Sequence, residues 1–356
     1  MWRRWRRRRR RLATALLLAA GMLAVAGNAR AGTPPTLTSE YKRTPGPHEV
    51  AELRFDWHDP ARDRDVPVKV YCPARDPGPF PVILFSHGLG GSREGYAYVG
   101  RHWAGHGYVC VHLQHPGSDE TVWKGLRPAE AMPAMRAALA QPANAVHRPL
   151  DVRFAIDRLE ALQLETGLPA GRMDLARIGM AGHSFGAFTT LAVIGKAGRA
   201  AVAGRNRLAD PRIKAAVIMS PTVSPDSAHD REPRTYAGIG VPCFHLTGTF
   251  DDAPINNSRA ADRRIPFDLI TGPDQYLVIF AGGDHMVFSG RRGPRGDGRL
   301  DPLFHDLIRM STTAFWDAYL KQDAGARAWL AEGGFGRALG NHGTFEIRPA
   351  DSRPAP

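Results

Sequence analysis

The chain is 356 residues long, 43% hydrophobic and 23% charged, an ordinary globular composition with room for one large α/β domain or two smaller ones. Its formal net charge of +12 suggests a nucleic-acid or membrane-surface partner, but Arg3, Arg4, Arg6 to Arg11 and Arg30 all lie within residues 1–31, which hold no Asp or Glu. Those nine arginines leave a net charge of only +3 on the rest, so most of the argument for a basic partner disappears and no nucleic-acid role is expected.

The arginine run is followed by an apolar stretch over residues 12–26 and by Ala29, Arg30 and Ala31, a small-x-small cleavage pattern. These are the three regions of a secretory signal peptide, so export to the periplasm or the medium is expected. An uncleaved signal anchor and twin-arginine export are alternatives, because an all-arginine run does not discriminate the routes. No second stretch is long and apolar enough to span a bilayer, so no stable membrane span is expected after cleavage. Residues 32–48, rich in Pro, Thr and Gly, read as a flexible lead-in.

Two strand-like runs at 50–57 and 66–71, separated by a charged turn, read as an antiparallel edge hairpin. Continuous apolar runs follow at 82–85, 108–113, 178–181, 215–219, 244–246 and 276–280. Strands without polar alternation are buried on both faces, which argues a parallel sheet covered by helices. Helical patterns lie between them at 96–105, 150–162 and 188–195, and 303–330 reads as one long or two consecutive helices. The expectation is an α/β fold with a mostly parallel eight-stranded sheet, helices on both faces, a domain over 49–345 and a tail at 346–356. Residues 114–147 exceed what a plain crossover needs and read as a lid, a pocket wall or a surface excursion.

Cys72, Cys110 and Cys243 all fall in apolar runs and read as buried thiols, with Cys72–Cys110 the pair favoured should a bridge form. No zinc-type Cys/His spacing is present, and neither a metal nor a cofactor is expected.

Chemistry is concentrated in Gly182, His183, Ser184, Phe185 and Gly186, placed between an apolar strand and a helical pattern. This is the form of a nucleophile elbow, which holds a serine hydroxyl out of a strained strand-to-helix turn. A serine hydroxyl needs a base, the base an orienting acid, and the resulting oxyanion two donors. His285, in Gly282 to Met286 at the end of the last apolar run, is the candidate base. Asp251, after the run at 244–246, is the first candidate acid, with Asp252 and Asp226 as alternatives; Asp284 reads as a turn residue. Phe185 and Leu89, the latter in the loop from Ser86 to Gly91, are the candidate oxyanion donors through their backbone N–H groups. That glycine-rich loop is not a phosphate cradle, because neither G-x-G-x-x-G nor a G-K-[ST] ending is present. His115 to Asp119 form one further polar cluster, either a turn with satisfied side chains or the edge of a substrate pocket.

The pair formed by Phe85 to Gly90 and Gly182 to Gly186 resembles the secreted platelet-activating-factor acetylhydrolases and the dienelactone-hydrolase-like bacterial esterases near them. The resemblance spans roughly 66–285 and implies an α/β-hydrolase fold, with Ser184 and His285 as nucleophile and base and Leu89 and Phe185 as oxyanion donors. The acetylhydrolases place their acid straight after the strand that follows the nucleophile helix, where this chain has Met219, Ser220 and Pro221. Dienelactone hydrolases use a cysteine where this chain has Ser184. The expected function is an exported serine hydrolase that cleaves a small-molecule or lipid-like carboxylic ester through an acyl-enzyme. An amidase, peptidase or lipase on the same triad, an acyltransferase, and a non-catalytic binding protein on a hydrolase scaffold are the alternatives.

Overall fold

The unbroken apolar runs form the middle of a single nine-stranded sheet in the computed structural model, which describes residues 40–162, 172–198, 208–223, 227–253, 255–291 and 298–350. The expected signal peptide at 1–31 and the first part of the lead-in lie outside the described residues. The strands are β1 (Val50–Asp59), β2 (Arg64–Pro73), β3 (Phe80–Ser86), β4 (Val109–Leu113), β5 (Met173–His183), β6 (Ile213–Met219), β7 (Cys243–Phe250), β8 (Gln275–Asp284) and β9 (Gly343–Arg348). Their order is β1-β2-β4-β3-β5-β6-β7-β8-β9. Strands β3 to β8 are mutually parallel, while β1, β2 and β9 join antiparallel at the two margins. This is the α/β-hydrolase architecture.

The sheet has nine strands where eight were expected, and the extra one is β9. It pairs with β8 from Phe280↔Gly343 to Gln275↔Arg348, across the boundary at which a tail was expected to begin. Its sequence alternates Thr344, Glu346 and Arg348 with Phe345 and Ile347, and those two apolar residues pack on the core while the strand stays half-exposed. A short alternating edge strand carries no continuous apolar run, which is why it resembles a tail in sequence.

Helices α1 (Ala97–Gly105), α2 (Pro128–Ala140), α3 (Pro142–Leu162), α4 (Phe185–Ile194), α5 (Ile265–Leu269), α6 (Asp301–Leu320), α7 (Ala324–Ala331) and α8 (Gly334–Leu339) complete the described fold. The period-two alternation of strand side chains divides the core between the two faces. Ile83, Phe85, Val217 and Met219 join Trp103, Phe315, Trp316 and Trp329 from α1, α6 and α7. Val82, Leu84, Ala216 and Ile218 join Val152, Ile156, Leu159, Leu191 and Val193 from α3 and α4. The stretch at 303–330 is two helices, because Gln322 turns into the left-handed region at φ 58 and Asp323 caps α7 through the Ala326 N–H at 2.9 Å. Helix α3 begins well before Leu150. Pro149 sits inside it, and a proline's missing N–H makes such a position read as a helix start.

The lead-in was expected to be flexible, yet its described part is tied to the domain. The buried Asp317 carboxylate accepts from Tyr41 Oη at 2.8 Å, from Lys42 Nζ at 2.5 Å and from Tyr108 Oη at 2.8 Å. All three cysteines are free and buried. Cys110 faces one core and Cys72 the other, so a bridge between them would have to cross the sheet.

After β3 the chain runs to β4 on one side and then jumps past β3 to β5 on the other. The carboxyl ends of β3 and β5 therefore lie at the switch in strand order, where open α/β sheets leave a crevice.

Candidate active site

Ser184 lies between β5 and α4 with φ 56 and ψ −116, a conformation that costs an L-residue about 1–3 kcal/mol. The turn closes only because its flanks are glycines. A Cβ on Gly182 would lie 2.2 Å from the Gly186 carbonyl oxygen, and one on Gly186 would lie 1.9 Å from that of Ser86. The Ser184 N–H donates to the Met219 carbonyl at 2.9 Å, which fixes the turn against β6.

His285 follows β8 and brings Nε2 to 3.0 Å from Ser184 Oγ and Nδ1 to 2.7 Å from Asp251 Oδ1. Of the candidate acids, Asp251 is fully buried at the end of β7. Asp252 turns the other way and accepts from the Ala260 N–H at 2.9 Å; Asp226 lies outside the described residues. Asp284 accepts the Met286 and Val287 N–H groups at 2.9 and 3.2 Å, closing the turn that carries His285.

Asp251 is held by more than the histidine. Ser220 Oγ donates to Oδ1 at 2.8 Å and Thr247 Oγ1 to Oδ2 at 2.8 Å, while Arg263 Nε lies 2.8 Å from Oδ1. Burial is the largest influence on the Asp251 carboxyl and would raise its pKa; the Arg263 charge, His285 and these hydrogen bonds outweigh it and hold the pKa below the usual carboxylate range. Arg263 is itself 1% exposed and also donates to the carbonyls of Ser220, Pro221 and Asp251, so it cross-links the β6 and β7 loops. Ser220 has φ 54 and lies 2.8 Å from His285 Nδ1. It occupies the position where the resemblance would put a carboxylate, and its hydroxyl bridges to the aspartate supplied one strand later.

The loop from Ser86 to Gly91 runs beside the elbow. A Cβ on Gly88 would lie 3.4 Å from Ser184 Cβ, which sets the following residue, Leu89, next to the candidate nucleophile. Phe185 is the first residue of α4, and an N–H in a first helical turn has no partner within its helix. Tyr96 ties loop to elbow: the Gly88 N–H donates to its hydroxyl at 3.1 Å, and that hydroxyl lies 2.8 Å from His183 Nδ1. Burial pushes the Tyr96 phenol up to about 12, which keeps it protonated.

Residues 114–147 lie against this loop. Trp123 Nε1 donates to the Gly90 carbonyl at 2.7 Å, and a Cβ on Gly90 would meet that indole at 2.8 Å and Met135 Sδ at 3.2 Å. Within the stretch, His115, Ser118 and Asp119 are buried, with partners for their polar side chains. His115 lies between Asp151 at Nδ1 and Ser86 Oγ at Nε2, each at 2.9 Å, and Asp119 accepts from Thr121 and Gln114. Among the described residues no group of His, Cys, Asp and Glu could hold a metal ion, and no helix is long and apolar enough to cross a membrane.

Arg263, Ser220 and Tyr96 are site residues that the sequence alone did not single out. Ser220 had a usable signal in its place at the carboxyl end of an apolar strand; Arg263 had none, because an isolated arginine reads as solvated surface.

A family model for platelet-activating factor acetylhydrolase, isoform II, matches residues 61–124, which hold the Ser86–Gly91 loop and Trp123. The platelet-activating factor acetylhydrolase of Cavia porcellus is 22% identical over 305 residues, covering 75% of this chain. The chain spans 64% of the length of that relative. The chain is thus similar to the acetylhydrolases that its two motifs resemble.

Proposed function

We propose that the protein is a serine hydrolase that cleaves carboxylic esters of small acyl groups through a covalent acyl-enzyme. The observation that carries the reading is the hydrogen-bonded series Ser184 Oγ, His285 Nε2 and Nδ1, Asp251 Oδ1, with links of 3.0 and 2.7 Å. A hydroxyl at that distance from an imidazole can give up its proton as it attacks a carbonyl carbon, and the buried carboxylate stabilises the imidazolium that forms.

In this reading the N–H groups of Leu89 and Phe185 receive the tetrahedral oxyanion. His285 returns its proton to the leaving alkoxide, which departs as the alcohol and leaves the acyl group on Ser184. Water, deprotonated by the same histidine, then releases the acid. The similarity to acetylhydrolases supports an ester and favours an acetyl group as the first to test. Export to the periplasm or medium belongs to the same proposal and rests on the arginine, apolar and small-x-small segments of residues 1–31.

Labelling of the purified protein with a fluorophosphonate, alongside Ser184→Ala, tests the reading. Label and p-nitrophenyl acetate turnover in the wild type alone are expected. A folded wild type that takes no label and turns over no ester contradicts it and favours a binding protein on this scaffold.

A further inference from the structure

The molecule buries a cation that the catalytic steps above do not use. Arg148, in the first half of α3, is 0% exposed, and each of its three nitrogens is engaged. Nε donates to Thr189 Oγ1 at 3.0 Å on α4, and Nη1 donates to Ser118 Oγ at 2.9 Å. Nη2 donates to Ser86 Oγ at 3.0 Å and to the His87 carbonyl. The guanidinium carbon lies 4.6 Å from the centre of the Phe185 ring.

Among the described residues none of these donors meets a carboxylate. The strongest negative influence on Arg148 is Asp151, whose oxygens are taken by His115, Arg62 and Arg64. A buried cation without a contacting counter-ion is costly to keep, and burial lowers its pKa to about 9, still charged at neutral pH. The same contacts could be made by neutral donors. What an arginine adds is a rigid fork that joins three segments, the end of β3, the loop at Ser118 and the start of α4, and a positive potential in a place screened from water.

The first and last of these are the segments that carry Leu89 and Phe185. We infer that Arg148 is the positioning residue of the oxyanion hole: its guanidinium ties the Ser86 hydroxyl and the His87 carbonyl to the Phe185 ring at the start of α4, and so fixes the loop that carries Leu89 against the residue that follows Ser184. The inference rests on the ester-hydrolase reading. It goes beyond it by assigning to one buried side chain the alignment of two N–H groups from different strands.

The test compares p-nitrophenyl acetate with its thionoester, whose sulfur is a poorer hydrogen-bond acceptor and draws less on an oxyanion hole. Arg148→Met should lower kcat on the oxygen ester about 30-fold or more, leave KM within about threefold, and cost the thionoester at least tenfold less. Arg148→Lys, which keeps the charge without the fork, should fall between wild type and Arg148→Met on the oxygen ester. Circular dichroism and melting identify variants that fold; if Arg148→Met does not, a drop of at least about threefold in the oxygen-to-thiono rate ratio of Arg148→Lys carries the same prediction. Equal losses on both esters in a folded variant, or kcat within about threefold of wild type in folded Arg148→Met, overturn the inference and leave Arg148 as packing. A wild type without label or turnover instead overturns the hydrolase reading, so the two failures are distinguishable.

Discussion

Asp251 and Asp252 are adjacent, and only their surroundings separate them. Asp251 is fully buried and receives Ser220, Thr247, Arg263 and His285, whereas Asp252 accepts the Ala260 N–H from the following loop. Asp251→Asn should lower kcat by roughly three orders of magnitude or more, because the amide no longer stabilises the imidazolium, while Asp252→Asn should stay within about threefold of wild type. Steady-state kinetics on p-nitrophenyl acetate measure both; comparable losses in the two variants would refute the assignment. At this scale the candidate nucleophile, base and first-choice acid were all legible, since each is a polar residue at the carboxyl end of an apolar strand. Arg263 was not, because it lies 12 residues from Asp251 along the chain and no local pattern marks that pairing. Ser220 shares the strand-end position, but a hydroxyl there does not announce that it will donate to a carboxylate 31 residues away.

Among elements, the elbow shows how a short motif depends on its neighbours. Gly186 is needed because β3 ends directly against α4, leaving 1.9 Å between an added Cβ and the Ser86 carbonyl oxygen. Gly186→Ala should destabilise the protein by about 3 kcal/mol and disturb the Ser86–Gly91 loop with it, since backbone rather than a flexible side chain must give way. A urea titration reads the first effect; an unchanged midpoint would mean that the elbow is looser than its geometry. The parallel strands were legible as elements because a short, unbroken apolar run between turn residues fits a strand buried on both faces better than a helix with one wet side. Strand β9 was not, since it alternates polar with apolar residues and stays half-buried along nearly all its length, and the true start of α3 was hidden by Pro149. Residues 114–147 were recognisable as an excess over a simple crossover, but their contact with the Ser86–Gly91 loop through Trp123 and Met135 depends on where β4 ends in three dimensions.

The whole molecule buries several histidines in neutral form. Burial, the largest cause in each case, depresses His112, His115 and His245 to about 4 and His102 to about 3. In the unfolded chain these groups bind protons near pH 6.5, so between that value and their folded pKa values the unfolded state holds more protons. Stability therefore rises with pH across this window and is lost on acidification, at about 1.4 kcal/mol per pH unit for each extra proton bound by the unfolded chain. Asp151 adds to the loss at lower pH. Burial, its largest influence, opposes the shift, but His115 and Arg64 bring its pKa down to about 2, so its contribution is present above about pH 4 and fades as pH falls toward 2. Unfolding free energies from urea titrations at pH 7.5 and pH 5.5 should differ by about several kcal/mol in favour of the higher pH, a rough sum over the four histidines. Equal midpoints would show that the histidines take up protons without unfolding.

Covalent catalysis at Ser184 is the step on which the hydrolase reading stands or falls, and acid-quenched peptide mapping after brief mixing with p-nitrophenyl acetate observes it. An acetyl group should appear on the peptide that carries Ser184, formed with a burst of p-nitrophenol and absent in Ser184→Ala. Turnover without an acetylated peptide, or an acetyl group on another residue that disappears at the rate of turnover, would contradict it.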